Sequence, residues 1–506
     1  MKFFLLSMFL VVSISGFAQK KPANPKPYAA TITAEDLKKH LYIVASAEME
    51  GRETATEGQR KAAAYIEAQF KNLGLLPGYQ GSYQQPYPVF RDSLVISRMS
   101  VNGASLKSNE DFQASTQFGT EVELYFSEVV YAGYGVSDST YTSYGNTNVA
   151  GKAVLVVEGG PSGLRGGTGR NSPIGTIAKV NNARTKGASA VFIVSSNFMP
   201  STMGNRMYLS LYRDAQYPAT YLINDKTAER IIGPGWVDMR EKLKTERPEP
   251  KIFRAEVEVS LDKKLQKLSS SNVIGLIEGT DKKDEYLILT AHYDHLGKRG
   301  NEIYYGANDD GSGTVSVLEM AEAFAKAKAE GKGPRRTVIF MTVSGEEKGL
   351  WGSAYYATHP TVNTEKITAN LNIDMVGRID IDRKAPDSLN YVYVVGDDKI
   401  SSESKTLVQA ANSKYLHLGL DYKFNDPKDP QRIYYRSDHY NFAKVGVPII
   451  FYTDGVTKPD YHRPTDTPDK INYTLLAKRT QLVFYTAWEM ANRENQLKRD
   501  IPLPKE

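Results

Sequence analysis

Hydrophobic positions near the N-terminus of this 506-residue chain recur at the spacing of α-helices. Thr33, followed by Ala34-Glu35-Asp36, is predicted to cap the start of a first helix. A second helix is predicted over residues 56–73, with Gly74 as its stop. One side of this second helix is apolar, through Ala62, Ile66, Phe70 and Leu73. Helices with one apolar side need a sheet to pack against.

From about residue 271 onward, unbroken apolar runs alternate with helical patterns. Strands that are apolar throughout are typical of a parallel sheet covered on both faces. We predict such strands at 286–291, 337–343, 369–373, 391–395 and 447–452, and helices at 313–327 and 473–492. This alternation predicts an α/β fold with a mostly parallel central sheet flanked by helices.

The segment between about 120 and 250 has a different pattern. Short β-like runs at 128–134, 153–158 and 190–195 alternate there with glycine-rich turns. A chain of this length is expected to form two or three domains. We therefore predict an inserted, smaller, β-rich α/β domain at 121–255. The larger domain would consist of 19–120 and 256–495, followed by a tail at 496–506.

The first residues of the chain predict export. Residues 1–18 read as a signal peptide, with Lys2, an apolar stretch over 3–14 and a cleavage region over 15–18. The apolar stretch is shorter than the roughly 20 residues of a membrane span, so no stable membrane anchor is expected. The protein is therefore predicted to be periplasmic or extracellular.

Composition excludes several classes of site. The chain has 63 basic and 58 acidic side chains, a net charge of +5, so a nucleic-acid partner is not predicted. It has no cysteine, which excludes disulfides, thiolate zinc sites and a lipid-anchoring cysteine. Any zinc must be held by carboxylates and by some of the 7 histidines.

Residues that can bind metal follow several of the predicted strands, or lie in loops that can reach the same edge of the sheet. In an open α/β sheet, ligands bind at the carboxyl ends of the strands. Two imidazoles and three carboxylates are enough to hold two zinc ions. The candidate ligands are His292, Asp309, Glu347, Asp374 and His462.

Neighbouring residues suggest roles around these ligands. Asp309 is the natural bridge, since a carboxylate offers one oxygen to each ion. Glu346 could accept the proton of the attacking water and pass it to a leaving amine. Asp294, two residues after His292, could fix the tautomer of that imidazole, and Asp466 could do the same for His462. His295 either lines the site or caps its loop, and His439 is ambiguous.

Six segments resemble, in order and spacing, the dizinc exopeptidases related to bacterial leucyl aminopeptidases and glutamate carboxypeptidase II. They are AHYDHLG (291–297), GANDDGSG (306–313), GEEKGLWGS (345–353), NIDMVG (372–377), RSDH (436–439) and YHRPTDT (461–467). The opening LYIVASAEMEGRET (41–54) is similar to the start of that peptidase domain. The segment VVYAGYGV (129–136) and the runs after it resemble the protease-associated (PA) domain inserted in many of these enzymes.

The resemblance implies a three-layer αβα fold, a peptide substrate and aminopeptidase activity with two zinc ions. One zinc would be held by His292, Asp309 and Asp374, and the other by Glu347, Asp309 and His462. Glu346 would be the general base. A tyrosine before the Ser-Asp-His segment, Tyr434 or the adjacent Tyr435, would stabilise the oxyanion.

Three alternatives remain open at this point. A carboxypeptidase or dipeptidase of the same fold would need a cationic pocket for a terminal carboxylate, for which Arg378, Arg432 and Arg436 are candidates. A single-zinc glutaminyl cyclase would not need all five ligands. A non-catalytic peptide-binding module would use the 120–250 segment for capture and the metal for structure. Side-chain specificity and oligomeric state are not predicted.

Overall fold

A computed structural model describes residues 23–115, 122–137, 141–161, 172–195, 207–208, 217–384, 389–455 and 458–503. The predicted signal peptide, 1–18, lies outside these residues. The chain forms two compact units, one made of Met1–Pro86 with Ser270–Glu506 and the other of Tyr87–Ser269. We call them the peptidase unit, after the domain that its sequence resembles, and the inserted unit.

The described strands, in chain order, are β1 (Leu76–Pro77), β2 (Gln84–Val101), β3 (Ala104–Ser105), β4 (Phe112–Ala114), β5 (Val122–Tyr131), β6 (Ala153–Val157), β7 (Ala190–Val194), β8 (Met207–Tyr208), β9 (Ala219–Ile223), β10 (Lys251–Ile277), β11 (Lys282–His292), β12 (Lys298–Arg299), β13 (Glu302–Ile303), β14 (Arg336–Val343), β15 (Ile367–Ile373), β16 (Tyr391–Val395), β17 (Gly419–Asp421) and β18 (Ile449–Thr453). The described α-helices are α1 (Lys26–Ala29), α2 (Ala34–Val44), α3 (Glu57–Asn72), α4 (Thr176–Thr185), α5 (Asp225–Ile232), α6 (Trp236–Lys242), α7 (Ser312–Ala329), α8 (Trp351–Thr358), α9 (Ser404–Tyr415), α10 (His439–Lys444) and α11 (Tyr473–Asn492).

The sheet of the peptidase unit has the order β17-β16-β18-β15-β11-β14-β10-β1. Its central strands are parallel, because β11 pairs in parallel with both β14 and β15, and β15 with β18. The strands β10 and β16 run antiparallel to their neighbours β14 and β18. The prediction of an α/β fold with a mostly parallel central sheet is confirmed.

Both faces of this sheet are covered, which explains the unbroken apolar runs. Leu287 and Leu289 of β11 belong to a core that also contains buried residues of α2, α3, α7, α9 and α11. Ile288 points the other way, into a core that includes Tyr356 of α8 and Phe442 of α10. Side chains of a strand alternate between its two faces, so a strand with helices on both sides must be apolar at every position.

The predicted helix boundaries of the peptidase unit agree closely with the structure. Thr33 caps α2, and its hydroxyl oxygen accepts a hydrogen bond from the backbone N–H of Asp36 at 3.1 Å. The helix predicted over 56–73 is α3, with Thr56 at the N-cap position. The helix predicted over 473–492 is α11. None of the described helices has the length and apolar character needed to cross a membrane.

The inserted unit contains a sheet of its own residues in the order β10-β5-β6-β7-β9-β4, with β5, β6, β7 and β9 parallel. This unit is longer at both ends than the predicted 121–255. The flanking segments are joined to each other, since Asn102 exchanges hydrogen bonds with Glu256 and Arg91 donates to Gln266. Such pairing depends on the partner strand, and the apolar pattern of one strand does not reveal it.

Candidate metal centre

The carboxyl ends of the central parallel strands bring the predicted ligands together. His292 is the last residue of β11 and pairs in register with Val343, the last residue of β14. Asp374 directly follows β15, and its backbone N–H donates to the carbonyl of Tyr452 in β18. The loop after β14 then carries Glu346 and Glu347 to this same edge of the sheet.

Asp309 reaches the edge from the loop that precedes α7. Gly306 in this loop has a φ of +56°, and a Cβ atom there would lie about 2.5 Å from the ring of His295 and from the carbonyl of Asp309. The buried guanidinium of Arg52 donates to the carbonyls of Tyr305 and Gly306. A larger residue at position 306 would therefore displace the carboxylate.

Asp466 also holds this loop. Its Oδ2 accepts hydrogen bonds from the backbone N–H groups of Asn308 and Asp309 at 2.9 and 3.1 Å. Its Oδ1 accepts from Arg378 at 2.7 Å. The sequence suggested that Asp466 fixes the imidazole of His462, whereas these contacts place it on the backbone of the Asp309 loop.

The described residues contain two groups of possible metal ligands that share Asp309. In the first group, Nε2 of His292 lies 3.2 Å from Oδ1 of Asp309 and 3.6 Å from Oδ1 of Asp374. The second group consists of His295, Asp309 and Glu347. The predicted ligand His462 lies beside it, with Nε2 3.2 Å from Oδ2 of Asp309 and 3.1 Å from Oε2 of Glu347. The two oxygens of Asp309 thus face different imidazoles.

These distances fit zinc. Ligands at the corners of a tetrahedron with bonds of about 2.0 Å are separated by about 3.3 Å. Buried atoms of both groups have no hydrogen-bond partner among the described residues, namely Nε2 of His292, both ring nitrogens of His295, Oδ2 of Asp309 and Oε1 of Glu347. Buried polar atoms without partners are costly unless they bind an ion. Each group therefore fits one ion, with Asp309 as the bridge.

Glu346 lies beside the first group. Its Oε2 is 4.0 Å from Nε2 of His292, and its backbone N–H donates to Oδ1 of Asp294 at 3.2 Å. Burial raises the pKa of the Glu346 carboxyl well above its usual value; the imidazole of His292 opposes this shift and the carboxylates of Glu347 and Asp374 add to it. A carboxyl in such surroundings is suited to take up a proton.

Asp294 connects His292, Glu346 and the N-terminal segment. Its Oδ2 accepts a hydrogen bond from the hydroxyl of Thr54 at 2.6 Å. Nδ1 of His292 lies 3.1 Å from the backbone carbonyl of Asp294 and 3.7 Å from its carboxylate. The carbonyl is the closer partner, so the main chain of Asp294 favours a proton on Nδ1, which leaves Nε2 free for metal.

The Ser-Asp-His segment, 437–439, contacts one metal ligand and packs into the core beneath the sheet edge. Ser437 donates to Oδ2 of Asp374 at 2.6 Å and accepts from Asn372 at 2.9 Å. The ring of His439 is buried and stacks on Phe451, with centroids 4.5 Å apart. Burial lowers the pKa of His439 to about 3, so this imidazole stays neutral in the interior. Its position is within the core.

A pocket with an empty volume of about 500 Å³, part of it open to solvent, adjoins the metal ligands. At one end it is lined by Asp309, Glu346 and Asp374. The rest of the wall is largely apolar, with Arg436 and Tyr461 as its main polar side chains. The remaining lining residues are Met375, Phe424, Ile433, Ser437, Phe451, Thr453 and Gly455.

The structure does not bring Tyr434 to this pocket, contrary to the prediction. Its hydroxyl is buried without a hydrogen-bond partner among the described residues, and its ring lies against Gly396 and below the ammonium of Lys399. Tyr434 and Tyr435 both line a separate cavity. The 3₁₀ turn over Ile433–Tyr435 directs Ile433 to the metal pocket instead.

Tyr461 is a tyrosine that the structure does bring to this pocket. It lines the pocket with Glu346, its ring stacks on His462 at 3.8 Å between centroids, and its hydroxyl lies 3.2 Å from the guanidinium of Arg436. Sequence reasoning missed this residue. Its place directly before the ligand His462 was the signal that could have revealed it.

The three candidate arginines have different surroundings. The guanidinium of Arg378 is engaged by Asp460 at 2.6 Å and Asp466 at 2.7 Å. Arg432 lies over the ring of Tyr435 and lines the separate cavity. Arg436 lines the metal pocket itself. Of the three arginines, Arg436 is therefore the candidate for binding a substrate carboxylate.

Comparisons with known proteins agree with this geometry. Residues 272–487 match the sequence profile of Peptidase family M28. A probable zinc metalloprotease of Pyrenophora teres f. teres is 28% identical over 214 residues, which cover 36% of this chain and 42% of that protein. Aminopeptidase YwaD of Bacillus subtilis is 24% identical over 328 residues, 63% of this chain and 61% of YwaD. The chain thus spans under two thirds of the length of either relative.

The fold agrees as well. The aminopeptidase from Aneurinibacillus sp. strain AM-1 superposes with a TM-score of 0.57 at 21% identity, covering 96% of this chain and all of that one. A likeness at this identity shows the fold. The ligand motifs and the two ligand groups that share Asp309 lie within residues 272–487, the part of the chain that matches the profile of Peptidase family M28.

Proposed function

We propose that this protein is an exported dizinc aminopeptidase that removes N-terminal residues from peptides. The observation that carries the proposal is the shared carboxylate of Asp309, whose two oxygens face two different imidazoles. The carboxyl of Glu346 lies beside these ligands and belongs to neither group. Two catalytic ions about 3.5–4 Å apart are typical of aminopeptidases and related hydrolases. The names of the similar zinc metalloprotease and of aminopeptidase YwaD support the same reaction.

The residues of the site divide the chemistry of peptide hydrolysis among them. Zinc bound by His292, Asp374, Glu347, His462 and the bridging Asp309 would lower the pKa of water towards neutrality and polarise the scissile carbonyl. Glu346 accepts the proton of the attacking water. It then gives this proton to the nitrogen of the leaving peptide, as its raised pKa allows.

Tyr461 stabilises the charge that develops on the carbonyl oxygen. Its hydroxyl lies in the pocket wall next to the ligand His462, and Arg436 can donate to the phenolic oxygen at 3.2 Å. The Tyr461 O–H is then left to donate to the substrate oxyanion. A hydrogen bond that strengthens in the transition state raises kcat more than it lowers KM.

The lining of the pocket favours the amino end of a peptide. Glu346 lies at its polar end and can accept a hydrogen bond from a substrate ammonium group, while the apolar wall of Phe424, Ile433 and Phe451 suits an uncharged side chain. A carboxypeptidase or dipeptidase is the second candidate, and Arg436 is the observation that favours it. An experiment must distinguish the aminopeptidase from the carboxypeptidase or dipeptidase, because both would use the same metal ligands.

The test compares peptides that differ at one end. The purified protein is assayed with a leucine anilide that has a free amine, with its N-acetyl form, and with an N-blocked dipeptide that has a free carboxylate. We expect cleavage of the free-amine substrate alone, with two zinc ions per chain. Cleavage of the blocked dipeptide, lost on Arg436→Ala, would instead show a carboxypeptidase. One zinc per chain with cyclisation of N-terminal glutamine would show a glutaminyl cyclase.

Two further parts of the proposal concern segments outside the site. Export by a signal peptide at 1–18 and a PA-type inserted domain remain predictions from the sequence. N-terminal sequencing of the mature protein, with a new N-terminus at Gln19, tests the first. Loss of all peptide hydrolysis on removal of zinc would exclude a module that only captures peptides.

A further inference from the structure

His295 is a third imidazole at the edge of the second ligand group. It is fully buried, and its backbone N–H donates to the carbonyl of Arg52. The ring is confined on one side by the loop backbone, since a Cβ atom at Gly306 would lie only 2.5 Å from its Cγ. His295 therefore has a single orientation imposed on it by the fold.

Nδ1 of His295 points into the second ligand group. It lies 2.7 Å from Oε1 of Glu347 and 3.9 Å from Oδ2 of Asp309, and these three residues form one of the two groups able to hold an ion. His462 contacts the same two carboxylates from the other side, with its ring centroid 5.9 Å from that of His295.

The contact between His295 and Glu347 lacks the geometry of a hydrogen bond. Despite the separation of 2.7 Å, Oε1 of Glu347 and both ring nitrogens of His295 have no aligned hydrogen-bond partner among the described residues. Nε2 of His292 is in the same condition, and that atom is a ligand of the first group. A cation between Nδ1 of His295 and Oε1 of Glu347 accounts for the lack of hydrogen-bond partners of these two atoms.

The distances leave room for one ion among these atoms. Two ligands of a zinc ion with bonds of about 2.0 Å lie between about 2.8 and 4.0 Å apart, depending on the angle between the bonds. His295 Nδ1 lies 2.7 Å from Oε1 of Glu347 and 3.9 Å from Oδ2 of Asp309, close to the two limits of this range.

We propose that His295 is a direct ligand of the second metal, which then has two imidazoles and the carboxylates of Asp309 and Glu347. The inference rests on the proposed dizinc function. The first metal, with His292 alone, has one imidazole. Because imidazole nitrogen suits zinc better than carboxylate oxygen alone, the second site is expected to keep its zinc at chelator concentrations that empty the first.

Zinc binding to the full-length protein tests this assignment without any activity assay. Metal-free wild type, His295→Ala, His295→Gln and His359→Ala are titrated with zinc in competition with a chromophoric chelator. His359 is an exposed imidazole and controls for incidental binding. Circular dichroism and the unfolding midpoint of each metal-free variant establish that it is folded.

We expect His295→Ala to bind one zinc as wild type does and the other more than about 100-fold more weakly, beyond the 10–100-fold that loss of an outer partner costs. His295→Gln should be equally impaired, because its amide can donate a hydrogen bond but offers no imidazole nitrogen. A smaller loss in His295→Ala, or recovery in His295→Gln, would overturn the assignment.

A crystal structure of the zinc-loaded wild type decides the question if His295→Ala does not fold. A distance of 2.0–2.1 Å from Nδ1 to zinc supports ligation, and a clearly longer distance overturns it. The proposed function fails separately: a wild type that binds one zinc, or cleaves no free-amine peptide, contradicts the dizinc aminopeptidase before any variant is compared.

Discussion

Glu346 and Glu347 are adjacent in the chain, yet the structure gives their carboxyl groups opposite acidities. Burial raises the pKa of Glu346 well above its usual value, and nearby carboxylates add to this effect. Burial also acts on Glu347, but its contacts with His295 and His462 outweigh it and lower the pKa to about 2. One carboxyl is thus suited to carry a proton, and its neighbour to hold a cation.

Glu346→Gln should keep its zinc and lose activity. The amide cannot accept the proton of the attacking water, so kcat should fall by about 10²–10⁴-fold, the usual weight of general acid–base catalysis. The measurement is kcat on a free-amine anilide together with zinc content. Glu302→Gln, at an exposed position, is the control. A variant with near-normal kcat would remove Glu346 from the mechanism.

Tyr461→Phe and Tyr434→Phe separate the two candidate oxyanion donors. Removing the hydroxyl of Tyr461 should lower kcat by about 10²–10³-fold and leave KM nearly unchanged, as expected for a hydrogen bond made in the transition state. Tyr434→Phe should keep wild-type kcat, because that hydroxyl lies outside the metal pocket. Steady-state kinetics of both variants provide the test, and the reverse result would restore the original assignment to Tyr434.

Asp309→Asn should reduce the zinc content. An amide offers one oxygen in place of the two that face His292 and His462, so the variant should bind at most one zinc with wild-type affinity. Asp284→Asn, at an exposed position, is the control and should keep two zincs. Elemental analysis after gel filtration gives the count, and two zincs in Asp309→Asn would exclude the bridge.

Glu319→Gln should change how stability depends on pH. Glu319 is almost fully buried 3.5 Å from His40, and burial, followed by the charges of Glu322 and Asp36, raises its pKa to about 8. Between the unfolded pKa near 4.3 and this folded value, the native state holds a proton that the unfolded chain has lost. Wild-type stability from this group is therefore present at low pH and is lost as the pH rises towards 8.

The variant lacks this loss, so its stability relative to wild type should increase from pH 5 to pH 8 by on the order of 2–4 kcal/mol. Urea unfolding of the zinc-loaded protein at both pH values measures the difference. Glu302→Gln, at an exposed position outside α7, should show no such increase. A constant difference across the two pH values would show that Glu319 is ionised in the folded protein.

The sequence by itself determined the α/β class, the buried strands and the side chains that can bind metal. Unbroken apolar runs such as 286–291 are typical of strands covered on both faces, and the polar residues that follow such strands are then expected to meet at one edge. The Thr33 cap acts within one turn and the apolar side of α3 repeats along one helix, so the start of α2 and the extent of α3 could be predicted to within a residue or two.

Only the tertiary structure decided which neighbouring side chain faces the metals. Tyr434 and Tyr461 both stand near site motifs, but the turn over Ile433–Tyr435 sends Tyr434 into the core, while the stack on His462 holds Tyr461 in the pocket. His295 was ambiguous for the same reason: a side chain's direction depends on contacts from segments far away in the chain. Distances between those segments exist only after folding.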